Sequence, residues 1–578
     1  MMKVVAIAAL TVGLLPIAGA VSAQDAEAEV QSGSVNVTIP SGIIIGSTDG
    51  EVESFKGIPY ADPPIGDLRF RPPVRLSTHL GELDATGDAA ACHWGPTFGP
   101  FTGKEDTKTF SAEIDVAKSV LKNIAGNRPK RFDEDCLTVN VQRPQGIGAG
   151  ANLPVLFWIY GGAFVSGSTS GYDGAKLVKT GVELDQPFIY VAVNYRLGGW
   201  GFMPGKEILR EGSGNAGLRD QRMGLEWVAD NIAEFGGDPK RVTIWGESAG
   251  AWSVFDQLVL YDGNATYKGK QLFQGAIMNS GTALPADTID GPKGQAIYNA
   301  VIKKAGCEGE NSLSCLRNLT NDDFADAANS VPGAISYQSL ALSYLPRPDG
   351  TVLTDSPDAL ARKGKLHKVP VIMGTQEDEG TVFTIFQNDM GTDDKIVDYL
   401  SKYYFGNATS GHVRELVSTY SKKISDGSPF RSILPYELYP GKRRIAAIIG
   451  DFFFDLMRRV ILQILSEEHP EIPSWSYFSS YNYYSGLNPV GTMHGSDIPV
   501  LFSGSNDKHP TISGRKYYIN FLYGLDPNNG SEVDEYWPKW KEGRQLLWFN
   551  KTDNGLKNDT YRDSSYEFMY KNIDSLRI

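Results

Sequence analysis

The chain has 578 residues, 41% hydrophobic and 21% charged, a globular balance that excludes a disordered or low-complexity protein. Its formal charge of -13 argues against a nucleic-acid partner, because phosphate binding draws on clustered Lys and Arg. No break in composition divides it, so one large domain is expected rather than several average ones.

The N-terminus carries Lys3, an apolar run over residues 4–20, and Val21-Ser22-Ala23 before Gln24. A positive start, an apolar middle and a small-x-small end make a secretory signal peptide over 1–23, with 24–578 as the mature domain. The run is short for a membrane span and no later segment is apolar enough to be one, so a secreted protein with no transmembrane anchor is expected. Glycosylation sequons at Asn36, Asn264, Asn318, Asn407, Asn529, Asn550 and Asn558 agree with export. So do the four cysteines, Cys92, Cys136, Cys307 and Cys315, an even number suited to disulfides in an oxidising compartment. They allow three pairings, of which the economical one joins neighbours. No C-x-x-C pair or His-rich neighbourhood points to a metal.

Residues 46–60 read as strand, turn, strand, and 61–73 as a Pro-rich surface crossing, together the antiparallel start of a sheet. Residues 92–136 form a Gly-rich, charged loop with one helical segment at 111–124, whose Ile114, Ala117, Val120, Leu121 and Ile124 share a face. On its pattern alone that segment is a fixed surface helix. From Leu137 the apolar runs become dense, and 137–142, 155–160, 188–194, 242–245, 275–278, 371–373 and 475–481 each read as a strand. Helical patterns such as 220–231 lie between them, so an α/β fold is expected: a mostly parallel sheet covered on both faces. In such sheets catalytic groups gather at the carboxyl ends of the strands.

One of those ends is Arg241 to Trp252, RVTIWGESAGAW, centred on G-x-S-x-G. A β-branched run before it and a helical pattern after it make the strand-turn-helix setting in which a sharp turn exposes a nucleophile, here Ser248. A serine hydroxyl needs a base, usually His held by a carboxylate. Of seven His, His494 in the glycine-flanked GTMHGSD is the best base; His79, His93, His367, His412, His469 and His509 lie in charged or Pro-flanked contexts that suggest surface. For the acid, VIMGTQEDEGT offers Glu377, Asp378 and Glu379 directly after a strand, and the residues alone do not choose among them. The order Ser, acid, His is that of α/β-hydrolases. Residues 154–164, PVLFWIYGGAF, end a strand in small residues, so the amides of Gly162 and Ala163, with that of Ala249, form a candidate oxyanion hole.

Across essentially the whole mature chain the sequence resembles the type-B carboxylesterases, and within them the fungal sterol esterases and Candida rugosa-like lipases. The likeness runs through FKGIPYADPPIGDLRFRPP, EDCLTVNVQRP, LPVLFWIYGGAF, GNAGLRDQRMGLEWVADNIAEFGGDP, WGESAG, SYLPRPDG, GTQEDEGT and GTMHGSDI; LPVLFWI, WGESAG and SYLPRPDG point most to the Ophiostoma-type sterol esterases. The resemblance implies an α/β-hydrolase fold with a disulfide-tethered lid and a cofactor-free serine hydrolase of lipid esters, sterol esters and triacylglycerols, working at a lipid surface. An open lid would offer a surface for self-association. It further implies Ser248, Glu379 and His494 as the triad, choosing Glu379 because the family's acid precedes Gly-Thr. Cys92–Cys136 and Cys307–Cys315 are the implied disulfides, 111–124 the lid helix, and Phe383 and Phe386 the walls of an acyl tunnel. One departure is Ala163, where many relatives have Gly.

Overall fold

A computed structural model describes residues 33–96, 129–423, 426, 437, 439–481 and 490–578. The signal segment and the helix expected at 111–124 lie outside the described residues. The strands are β1 Gly33–Ile39, β2 Gly42–Thr48, β3 Val52–Pro59, β4 Gly81–Asp84, β5 Thr138–Pro144, β6 Leu153–Ile159 and β7 Ile189–Val193, followed by β8 Gly237–Glu247, β9 Gly275–Asn279, β10 Val371–Gln376, β11 Ser474–Ser479, β12 Gln545–Phe549 and β13 Asn554–Asn558. They form one 13-stranded sheet in the order β1-β2-β3-β5-β7-β6-β8-β9-β10-β11-β12-β13, with β4 beside β2.

The seven strands from β7 to β12 in that order run parallel. Antiparallel pairs flank them on both sides. Burial explains why the centre was readable and the edges were not. Every residue of β7, β9, β10 and β11 is buried, so each is a continuous apolar or small run. At the edge, β1 buries only Val37 and Ile39, and β13 (NGLKN) buries nothing. Neither leaves an apolar run to find.

Helix α1, Ala216–Asn231, begins four residues before the pattern at 220–231 and packs beside β8 and α2, Ala249–Gly263. All of α2 through Leu260 is buried, as the apolar AWSVFDQLVL requires of a helix that crosses the core. Disulfides join Cys92 to Cys136 and Cys307 to Cys315. Six of the sequon asparagines are exposed and Asn550 is half-buried. Among the described residues no helix is long and apolar enough to cross a membrane.

Candidate active site

Strand β8 ends at Glu247 and α2 begins at Ala249, leaving Ser248 alone to reverse the chain at φ 59°, ψ -127°. A non-glycine residue rarely holds that conformation, at a cost of about 1–3 kcal/mol, and it persists only where the surroundings enforce it. Two glycines do so. A Cβ on Gly250 would meet the Ile159 carbonyl oxygen at 2.0 Å, and one on Gly246 would meet the Gly250 carbonyl at 2.4 Å. The motif glycines thus let strand, turn and helix close on one another, while the Ser248 amide donates to the Asn279 carbonyl at the end of β9.

His494 sits beyond β11 on the loop expected of it. Its Nε2 lies 2.7 Å from Ser248 Oγ and its Nδ1 2.6 Å from Glu379 Oε2. In this arrangement the hydroxyl donates to Nε2 and Nδ1–H donates to the carboxylate. Glu379 is fully buried, and its other oxygen accepts from the Gln376 amide at 2.7 Å. The neighbouring acid does different work: the Asp378 carboxylate accepts from the Thr492 amide at 2.8 Å, and the Asp378 amide donates back to the Thr492 carbonyl. Asp378 therefore bolts the acid turn to the histidine loop, and Glu379 faces the ring. His469, expected at the surface, is buried, with Nε2 on the Ala361 carbonyl.

At the end of β6 the chain turns through three positive φ values, Gly162 (111°), Ala163 (56°) and Phe164 (60°). Ala163 holds the left-handed turn despite its methyl. The amides of Gly162, Ala163 and Ala249 donate to no other described residue.

The chain matches the model of the carboxylesterase family over residues 33–569. It belongs to the carboxylesterase family. It is 53% identical over 551 residues to a secreted triacylglycerol lipase of Gibberella zeae, covering 95% of this chain and 92% of that one. It is 41% identical to a Diutina rugosa protein named lipase 4, covering 90% and 93%. Its fold is like that of Aspergillus niger EstA, with a TM-score of 0.78 over 94% of this chain and 99% of that one at 24% identity. The protein is thus a carboxylic-ester hydrolase of the α/β-hydrolase fold.

In this carboxylesterase a second acid bears on the base. Glu247, inside the G-x-S-x-G motif itself, puts Oε1 3.3 Å from His494 Nε2. Burial, with Asp497 and Glu379 nearby and His494 only partly offsetting them, pushes the Glu247 carboxyl up to about 8. Burial disfavours the His494 imidazolium, but Glu379, Glu247 and then Asp497 outweigh it and hold its pKa above the ordinary histidine value. Asp497 itself accepts from Asn279 Nδ2 at 2.7 Å and the Tyr477 hydroxyl at 3.0 Å. Replacing Glu247 with Gln removes one acid that favours the imidazolium. The acid limb of kcat/KM, which reports the essential base of the free enzyme, is therefore expected to move to lower pH. A limb that stays in place across a pH series would mean that this carboxyl does not bear on the imidazole.

Aromatic rings wall the imidazole. Phe383 lies 5.0 Å from it and Phe454 4.5 Å, and Phe454 stacks in turn on Trp252 at 5.6 Å. Phe386, like Phe383, packs against a small cluster of Val382, Ile385, Val490 and Met493. Phe454 comes from a π-helical turn, Asp451–Asp455. Nothing local in the triplet Phe452-Phe453-Phe454 ties it to His494 in the sequence.

Proposed function

We propose that this protein is a secreted lipid-ester hydrolase that cleaves long-chain esters, triacylglycerols and sterol esters, through an acyl-enzyme on Ser248. The observation that carries the reading is the continuous hydrogen-bond chain from Ser248 Oγ through His494 to Glu379 at a strained turn. His494 Nε2 takes the serine proton as Oγ bonds to the ester carbonyl carbon, while Glu379 steadies the imidazolium. The oxyanion that forms is held by the amides of Gly162, Ala163 and Ala249, and each such donor is worth about 10²–10³ in rate. As the tetrahedral centre collapses, the alcohol leaves with the proton from His494. Water then repeats the sequence and releases the fatty acid.

The lipid substrate is supported by the relatives named as lipases and by the aromatic wall of Phe383, Phe454 and Trp252, which favours an acyl chain over a polar group. Phe386, packed against the same small cluster as Phe383, is assigned to that wall as well. The segment tied by Cys92–Cys136 is assigned as the lid at a lipid surface and as the site of self-association. The exposed sequon asparagines carry glycans.

The test is hydrolysis of cholesteryl oleate, triolein and a short soluble aryl ester by the wild type and Ser248→Ala. Turnover of the long esters that vanishes in the variant supports the reading. Activity confined to the short ester makes the protein a general carboxylesterase, and turnover that survives Ser248→Ala removes the acyl-enzyme.

A further inference from the structure

The turn that carries Glu379 is gripped from behind by a buried lysine. Glu379–Thr384 is a 3-10 helix, and the carbonyls at the end of so short a helix lack partners within it. The Thr381 and Thr384 carbonyls meet Lys442, the first residue of helix α3, Lys442–Gly450, which is 1% exposed. Its Nζ donates to the Thr381 carbonyl at 3.0 Å, and to the Thr384 carbonyl and Oγ1, each at 3.2 Å. The Tyr439 hydroxyl donates to the same Thr384 carbonyl, and the ammonium lies 5.7 Å from the Tyr439 ring.

Behind the lysine the helix fits flush against the turn. A Cβ on Gly380, the residue after the acid, would come 1.9 Å from the Ala446 carbonyl oxygen and 2.7 Å from the Gly450 amide. The turn is thus held at its front by the Gln376 amide on the Glu379 carboxylate, along its back by small residues, and at its far end by charge. An uncharged side chain of the same length would fill the space without desolvating a cation. What the ammonium adds is donors aimed at the carbonyls of this turn.

We propose that Lys442 is a positioning residue for the acid: by fixing the far end of the 379–384 turn it holds the Glu379 carboxylate on His494 Nδ1. The same grip sets Phe383, whose ring faces His494 from the residue before Thr384. This inference rests on the triad reading above, and Glu379→Gln separates the two: if that variant keeps full activity, the triad reading fails without reference to the lysine.

The experiment uses Lys442→Met, which keeps the stem and removes the donors, and Tyr439→Phe, which removes one donor. Both are assayed on a soluble ester for kcat, KM and the pH profile of kcat/KM, with circular dichroism to confirm the folded state. Lys442→Met is expected to lower kcat between about 10- and 100-fold with KM nearly unchanged, as a small misplacement of a catalytic group does. The acid limb is expected to move to lower pH. The acids facing His494 are Glu379, Glu247 and Asp497, and all favour its charged form, so a Glu379 that swings away lowers the imidazole pKa. Deleting a nearby positive charge, taken alone, would move the limb the other way. A limb that rises or stays, with kcat unchanged, overturns the proposal. If Lys442→Met does not fold, Tyr439→Phe decides: a smaller shift in the same direction supports the role, and an unchanged kcat and limb overturn it.

Discussion

Replacing His494 with Ala is expected to lower kcat by about 10⁶-fold, the scale on which loss of the general base acts in serine hydrolases. The geometry leaves Ser248 no substitute. Nε2 lies 2.7 Å from Oγ, and the six remaining histidines hold other positions, such as His469 on the Ala361 carbonyl and His367 on the Phe273 carbonyl. Glu379→Gln keeps the shape of the turn but no longer offers a charged acceptor to Nδ1–H, and a loss near 10⁴-fold is expected. Because the three groups act as a unit, Ser248→Ala/His494→Ala should be no slower than the worse single variant. Single-turnover assays on an activated ester measure all four enzymes. A double variant whose losses multiply would mean that Ser248 and His494 act independently.

The second large effect is on stability. Asp559, directly after β13, is fully buried between Arg458 and Arg459 of helix α4, Leu456–Glu468. Arg458 donates to both carboxylate oxygens at 2.8 Å, Arg459 Nε donates at 2.9 Å and Trp540 Nε1 at 2.8 Å. Helix α4 continues from the π-helical turn that places Phe454 on His494, so this cluster ties the last strand to an element of the site. Asp559→Asn keeps the shape and leaves two cations without a central countercharge. A loss of about 3–5 kcal/mol is expected, as when one partner of a buried pair is removed. Burial alone would raise the Asp559 pKa, yet the two guanidiniums hold it at about 2.

A depressed folded-state pKa gives stability that is present above the unfolded value and is lost as pH falls through the folded one. The wild type should therefore lose this contribution between about pH 4 and pH 2. Asp559→Asn should lack that step. Urea unfolding followed by tryptophan fluorescence at several pH values reads both. Equal stability of the two proteins at neutral pH would show the cluster to be dispensable.

Much of the site was legible because its parts are local. Ser248 is announced by a strand, two glycines and a helix within twelve residues, and the structure shows why each glycine is needed, at Ile159 and at Gly250. The central strands were legible because burial on both faces leaves unbroken apolar runs, while β1 and β13 were missed because one-sided or shallow burial does not. The histidine loop and the acid turn each carried a signature of their own.

What the sequence determined by itself was therefore the α/β class, with Ser248, His494 and a turn containing three carboxylates as candidates; its family resemblance singled out Glu379. Only the tertiary structure decided what each carboxylate does: Glu379 on the imidazole, Asp378 on the Thr492 amide, Glu247 beside Nε2. It also brought the Phe383 ring against His494 and set Lys442 under the acid turn. The reason is distance along the chain. His494 meets partners 115 and 246 residues away, and Lys442 meets the turn across about 60. Periodicity, turn chemistry and composition act over a few residues, whereas such meetings depend on how whole strands and helices pack.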